Sequence, residues 1–254
     1  MLAFHNQPGV KSKFCRRLAA HHRMDAFIQG QYWSEGKGCA VGCTLVNNGG
    51  ESGQGLYKEY ELQLGIPRIL AHIEDRIFEK LTIDEAKNFA VNFLKVIPVG
   101  ADLTHVWEHF MAWLMEDILG RPRRKELPDY VKDSLTLVRG LFKEQAEGKN
   151  INWVAARKQT RVATDAAYAA AAYAAADVAT DAAYAAAAAY AAYDAAAADA
   201  AADAAYDAAA YDAAYDAAYA ATAYEAAQRE FWTQAAAQLL HLLKTAPVPG
   251  KGVK

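Results

Sequence analysis

Between Lys149 and Ala246 the chain contains neither glycine nor proline. These are the strongest local breakers of a helix, so nothing in that stretch interrupts one. Positive charge is missing from most of the same stretch. Residues 163–225 hold nine Asp and Glu225 but no Lys or Arg, a net of -10. A segment so acidic repels phosphates, which argues against a nucleic-acid partner there. Cysteine is scarce as well: Cys15, Cys39 and Cys43 are the whole complement. An odd number of thiols does not suit a disulfide framework, and no secretory leader is legible at the N-terminus. The alanine-rich stretch is long enough for a bilayer but carries aspartate too often to cross one. The expectation is a reduced, cytoplasmic protein with no membrane partner.

What is present divides the chain. Residues 1–150 read as a helical globular domain, with enough large aliphatic and aromatic side chains for a core of their own. Residues 151–246 read as an Ala/Tyr/Asp-rich helical region, and 247–254 as a flexible tail. The sequence TDAAYAAAA occurs at Thr164 and again at Thr180, and AAYD units fill 204–219. A four-residue step exceeds the helical 3.6, so the tyrosine stripe drifts around the rod. Packing on the first domain or on a second copy is the expected use of such a surface, and homo-oligomerisation follows from the second. Residues 1–162 carry a net +4, opposite in sign to the acidic region.

The apolar spacing predicts several helices and an all-α fold. Residues 10–29 place Val10, Phe14, Leu18 and Ile28 on one face, with Gly30 as the stop. Gly30 to Gly55 holds eight of the sixteen glycines and reads as a glycine-rich loop. Its apolar middle, Cys39 to Val46, is expected to be buried or to form a short strand. Pro67 opens a helix with Ile66, Leu70, Ile73, Ile77 and Leu81 inside. Thr82 and Glu85 form a capping box for the next, which buries Ala86, Phe89, Ala90 and Phe93. Asp102 caps a third, with Leu103, Val106, Trp107, Phe110 and Leu114 inward. Val131, Leu135, Val138 and Phe142 mark a fourth.

Four constellations can carry chemistry. His21 and Asp25 fall four apart on an apolar face, where each needs a polar partner and the other is nearest. The string from Gly36 to Cys43, GKGCAVGC, is a special loop in which Lys37 and backbone amides can meet an anion. It lacks the Ser or Thr of a P-loop, and Cys39 and Cys43 lack a second ligand pair for zinc. His105-Val106-Trp107-Glu108-His109 matches an inverted zinc-protease pattern, but its histidines fall on the polar side of their helix and the stretch roughly 60 to 90 residues downstream, where a third ligand is expected, contains no glutamate. Glu74 borders the apolar face of its helix and is assigned to the site. Asp75 and Glu79, beside Arg68, His72 and Arg76, read as a solvated salt-bridged face.

The strings GQYWSEGKGCAVGCTL, LGIPRILAHIEDRIFEKL and IPVGADL resemble an uncharacterised family of hypothetical proteins of bacterial and phage genomes with an alanine-rich C-terminal tract. The resemblance covers most of the chain and implies a phage- or mobile-element-associated role, with no activity and no catalytic residue attached. From the residues, the leading expectation is a non-enzymatic binding protein. His21, Asp25, Tyr32, Trp33, Lys37, Cys39, Cys43 and Glu74 would hold a small, anionic ligand or a partner segment, with no metal and no cofactor. The alternatives are a small intracellular enzyme using Cys39 or a His21/Asp25 pair, and a structural spacer or oligomerisation protein.

Overall fold

The computed structural model describes residues 1–46, 56–120, 129–153, 155 and 221–250. Among these the regular structure is helical, with three isolated bridges and no strand. The helices are α1 (Pro8–Arg23), α2 (Ala40–Leu45), α3 (Leu56–Glu59), α4 (Arg68–Lys80), α5 (Ile83–Val96), α6 (Val106–Gly120), α7 (Asp129–Ala146) and α8 (Ala221–Thr245). An all-α fold is therefore observed. The acidic alanine-rich stretch up to residue 220 lies outside the described residues, and α8 begins where it ends.

The chain divides into two compact units, Met1–Trp107 with Trp232–Lys254, and Glu108–Phe231. In the first, α1 packs on α2 and α5, and α4 packs on α2, α3 and α5. The capping box forms: Glu85 Oε2 accepts from Thr82 N at 3.1 Å and from Thr82 Oγ1 at 2.5 Å. Behind that cap Ala86, Phe89, Ala90 and Phe93 are buried, as their spacing requires. Leu70, Ile73 and Ile77 of α4 are fully buried too. Each such side chain contributes up to about 1.5–3 kcal/mol relative to exposure.

Gly65 sets the entry to α4. It takes a left-handed φ of 64°, and a Cβ there would lie 2.4 Å from Leu2 O. Only glycine meets both conditions. Pro67 follows as the helix N-cap, with Arg68 N bonded to Glu61 Oε1 at 3.1 Å.

Three readings from spacing change in the structure. Helix α1 ends at Arg23, not Gly30, and Asp25 sits beyond it at φ 51°. The chain leaves the helix because residues 26–28 pair with Gly38: Gly38 N donates to Ala26 O at 2.9 Å and Ile28 N to Gly38 O at 3.0 Å. The segment expected as a strand or buried coil is α2, all six residues of it buried. Asp102 caps the turn before α6, accepting from Thr104 N at 3.0 Å, and regular helix starts at Val106.

In the second unit Phe110 and Leu114 of α6 are buried, as are Leu135, Val138 and Phe142 of α7. Lys143 pairs with Glu116 at 2.8 Å between these helices. No helix among the described residues is long and apolar enough to cross a membrane.

Candidate functional site

The site grows from two glycines. Gly38 precedes α2 and Gly42 sits one turn on, so their Cα atoms share a face. A Cβ on Gly38 would lie 2.1 Å from Tyr32 O, and one on Gly42 would lie 1.7 Å from it. The spacing Gly-x3-Gly thus lets the backbone of Tyr32 cross flat against α2. Cys39 N reaches Gln31 O at 2.9 Å and holds that crossing. At Gly38 and Gly42 the missing side chains admit a backbone neighbour.

Helix α2 is fastened to α1 through its C-terminal carbonyls, which no helical partner can satisfy. Arg17 donates to Thr44 O at 2.8 Å and to Leu45 O at 2.6 Å. His21 Nδ1 donates to Cys43 O at 2.7 Å. Arg17 and His21, four apart on α1, therefore act as a cap for a neighbouring helix. His21 is buried, with its ring centroid 5.3 Å from that of Trp33.

This corrects the expected His21/Asp25 pair. Asp25 lies past the end of α1, its side chain 73 % exposed, and forms an ion pair with Lys87. That pairing holds its carboxyl below the usual range. The helical spacing that suggested the pair does not exist, because the helix stops before Asp25.

A cavity of about 440 Å³ opens beside Cys39, the residue before α2. One wall is Gly30, Gln31, Tyr32 and Cys39; the other is Asp75, Arg76, Glu79 and Lys80 of α4. Cys39 Sγ and carboxylate oxygens of Asp75 and Glu79 all lie within 4.8 Å of one another. Among the described residues no other group of three or more His, Cys, Asp or Glu is so placed to hold a metal. His105, Glu108 and His109 form no such group; Glu108 is buried and His109 exposed.

Each carboxylate accepts from a neighbouring donor. Tyr57 donates its hydroxyl to Asp75 Oδ2 at 2.6 Å, and Gly30 N donates to Glu79 Oε2 at 2.7 Å. Tyr57 is itself placed by stacking on His72, with ring centroids 3.4 Å apart. Burial, with Arg68 adding to it, lowers His72 to about 4, so the ring is neutral near pH 7. Burial pushes the Cys39 thiol far up, reinforced by Asp75. Burial likewise raises Glu79 against the weaker opposing bond from Gly30.

Of the eight residues expected to form the site, Tyr32 and Cys39 line this cavity. Cys43 is a buried residue of α2 outside the cavity lining, its thiol donating to Gly38 O at 3.3 Å and pushed up to about 12 by burial. Lys37 is exposed at a tight turn closed by Ser34, away from the cavity lining. Trp33 covers His21. Glu74 is fully buried, accepting from Tyr60 Oη at 2.7 Å, and burial raises it well above an ordinary carboxyl. It is a core acid whose charged form burial disfavours.

Asp75 and Glu79, expected on a solvated face, are half-buried, line the cavity and lie beside Cys39. A signal was present for Asp75 only, in the width of the apolar arc of α4. Ala71 and Phe78 are fully buried beside Leu70, which brings Asp75 to the arc's edge. No family model, no curated protein and no solved structure matches the chain.

Proposed function

We propose that this protein is an enzyme acting on a small anionic molecule held in the Cys39–Asp75–Glu79 cavity. The observation that carries the reading is the convergence of one thiol and two carboxylates within 4.8 Å at a cavity wall. Groups that repel one another as anions and lose hydration on burial oppose folding, and such arrangements concentrate where chemistry is done. A passive pocket of about 440 Å³ would hold a ligand with apolar walls and a few hydrogen bonds. Arg76 and Lys80 line the same cavity and supply the attraction for a negative substrate.

Cys39 as a free nucleophile is the weaker form of this reading. Reactive thiols sit beside cations that favour the thiolate. Burial and Asp75 push Cys39 the other way. Its role is to shape and hold the polar centre of the cavity.

The test is turnover within an unfractionated mixture of candidate substrates. A small-molecule extract of bacterial cells is incubated with the wild type and with Asp75→Asn, and its composition is followed by mass spectrometry. The expected result is at least one species consumed and one formed by the wild type, with the variant at least about 100-fold slower, the scale of losing one preorganised catalytic group. A species that is retained and released unchanged, with nothing consumed, returns the protein to the class of binding proteins.

A further inference from the structure

We propose that Cys39, Asp75 and Glu79 form a binding site for a single divalent cation of intermediate softness, zinc above all. The inference rests on the reading of this cavity as the reactive site, and it deepens that reading by naming what holds the three groups together. A thiol and two carboxylates close to one another offer three donors whose anionic forms repel in the absence of a cation. A divalent ion bound between them takes the sulfur as thiolate, releasing the Cys39 proton to solvent, and removes that repulsion.

The donor set selects the ion. One sulfur and two carboxylate oxygens suit a borderline metal better than calcium or magnesium, which take oxygen alone. The geometry is within reach. Tetrahedral zinc with bonds of about 2.0–2.3 Å spaces its ligand atoms roughly 3.5 Å apart. The three donor atoms already lie within 4.8 Å of one another, so side-chain rotations of an ångström or so complete the set.

The surroundings supply a second, independent line. Tyr57 Oη and Gly30 N each grip one oxygen of a ligating carboxylate, at 2.6 and 2.7 Å. Outer-shell donors of this kind orient metal ligands and are a regular part of such sites. Three protein ligands leave a fourth position, and the cavity beside Cys39 gives that position room for water and a small substrate. Arg76 and Lys80 lie along the same wall, placed for the anionic part of that substrate.

The full chain, stripped with chelator, is titrated with Zn(II) by calorimetry and with Co(II) by absorption spectroscopy. The expected result is one equivalent of either ion and a sulfur-to-cobalt charge-transfer band in the near ultraviolet. Cys39→Ser abolishes the band and Asp75→Asn weakens binding at least about tenfold, while Tyr57→Phe weakens it by about 10-fold through its orienting bond. The double variant H105A/H109A and the variant Cys15→Ser bind as the wild type does. Circular dichroism of each variant confirms that the fold is kept. Absence of saturable binding, a band that survives in Cys39→Ser, or binding lost in H105A/H109A overturns the site. Metal bound without turnover of any extract component leaves this site standing and removes the enzyme reading. Turnover by a protein that shows no saturable metal binding keeps the enzyme reading and removes this site.

Discussion

His21 and Asp25 stand four residues apart, and so do Asp75 and Glu79, yet the fold separates the first pair and converges the second. The difference is whether the intervening chain is helical. Helix α4 runs unbroken from Arg68 to Lys80, so Asp75 and Glu79 share a face and point into one cavity. Helix α1 stops at Arg23, and the residues after it turn to pair with Gly38. His21 is then left to cap α2 through Cys43 O, and Asp25 faces solvent beside Lys87. Spacing along a helix is evidence of proximity only where the helix survives tertiary competition.

The sharpest way to break this comparison is to remove the glycines that draw the chain away from α1. In Gly42→Ala the new Cβ would sit 1.7 Å from Tyr32 O, backbone against backbone, with no flexible atom to yield. The expected loss is more than about 3 kcal/mol, beyond the usual range for overpacking, with the cavity lost along with it. Gly9→Ala, where a Cβ meets nothing within 4 Å, is the control and stays within about 0.5 kcal/mol of the wild type in urea unfolding.

Next in size is the contrast inside the first pair. His21→Ala removes a buried ring and leaves Cys43 O without its donor, a loss of about 2–3 kcal/mol in the same measurement. Asp25→Asn leaves the thermal midpoint where it was, because the ion pair it removes is exposed. Equal destabilisation by both substitutions would restore the paired reading.

The second pair should show the opposite balance of stability and function. Asp75→Asn and Glu79→Gln each relieve crowding of desolvated acids, so neither lowers stability by more than about 1 kcal/mol. Both are nevertheless expected to slow the proposed turnover at least about 100-fold, read by the same extract assay. A loss of stability as large as that of His21→Ala would make the pair structural.

The smallest effect concerns pH. The folded chain keeps His72 neutral down to about pH 4, whereas the unfolded chain takes up the proton near 6.5. Between those values the unfolded state binds more protons, so stability is full above about pH 6.5 and declines as the pH falls toward 4. Below that the slope from this residue ends. Replacing His72 with Gln should flatten the decline in a series of melts across the window, with Arg68 and the stacked Tyr57 left in place.

Much of this architecture was determined by local chemistry and is legible in the residue order alone. The capping box at Thr82 and Glu85, the entry to α4 at Pro67 and the inner faces of α4, α5 and α7 follow from propensity, capping and the 3.6-residue period. These rules act between near neighbours, whatever the distant parts of the chain do. The string GKGCAVGC was visible as a special loop as well, read as a place where Lys37 and backbone amides could meet an anion. What that loop approaches was not visible. The carbonyl of Tyr32 over Gly38 and Gly42, the end of α1 at Arg23 and the turn of Asp25 toward Lys87 are outcomes of competition between a continuing helix and pairing with a distant stretch of backbone. The same holds for the cavity. Asp75 and Glu79 have the composition of a solvated face, and only the arrival of Gly30 to Cys39 against α4 buries them and gives them a thiol for a neighbour. Desolvation and convergence are properties of surfaces brought together, so the tertiary structure alone decided where the site lies.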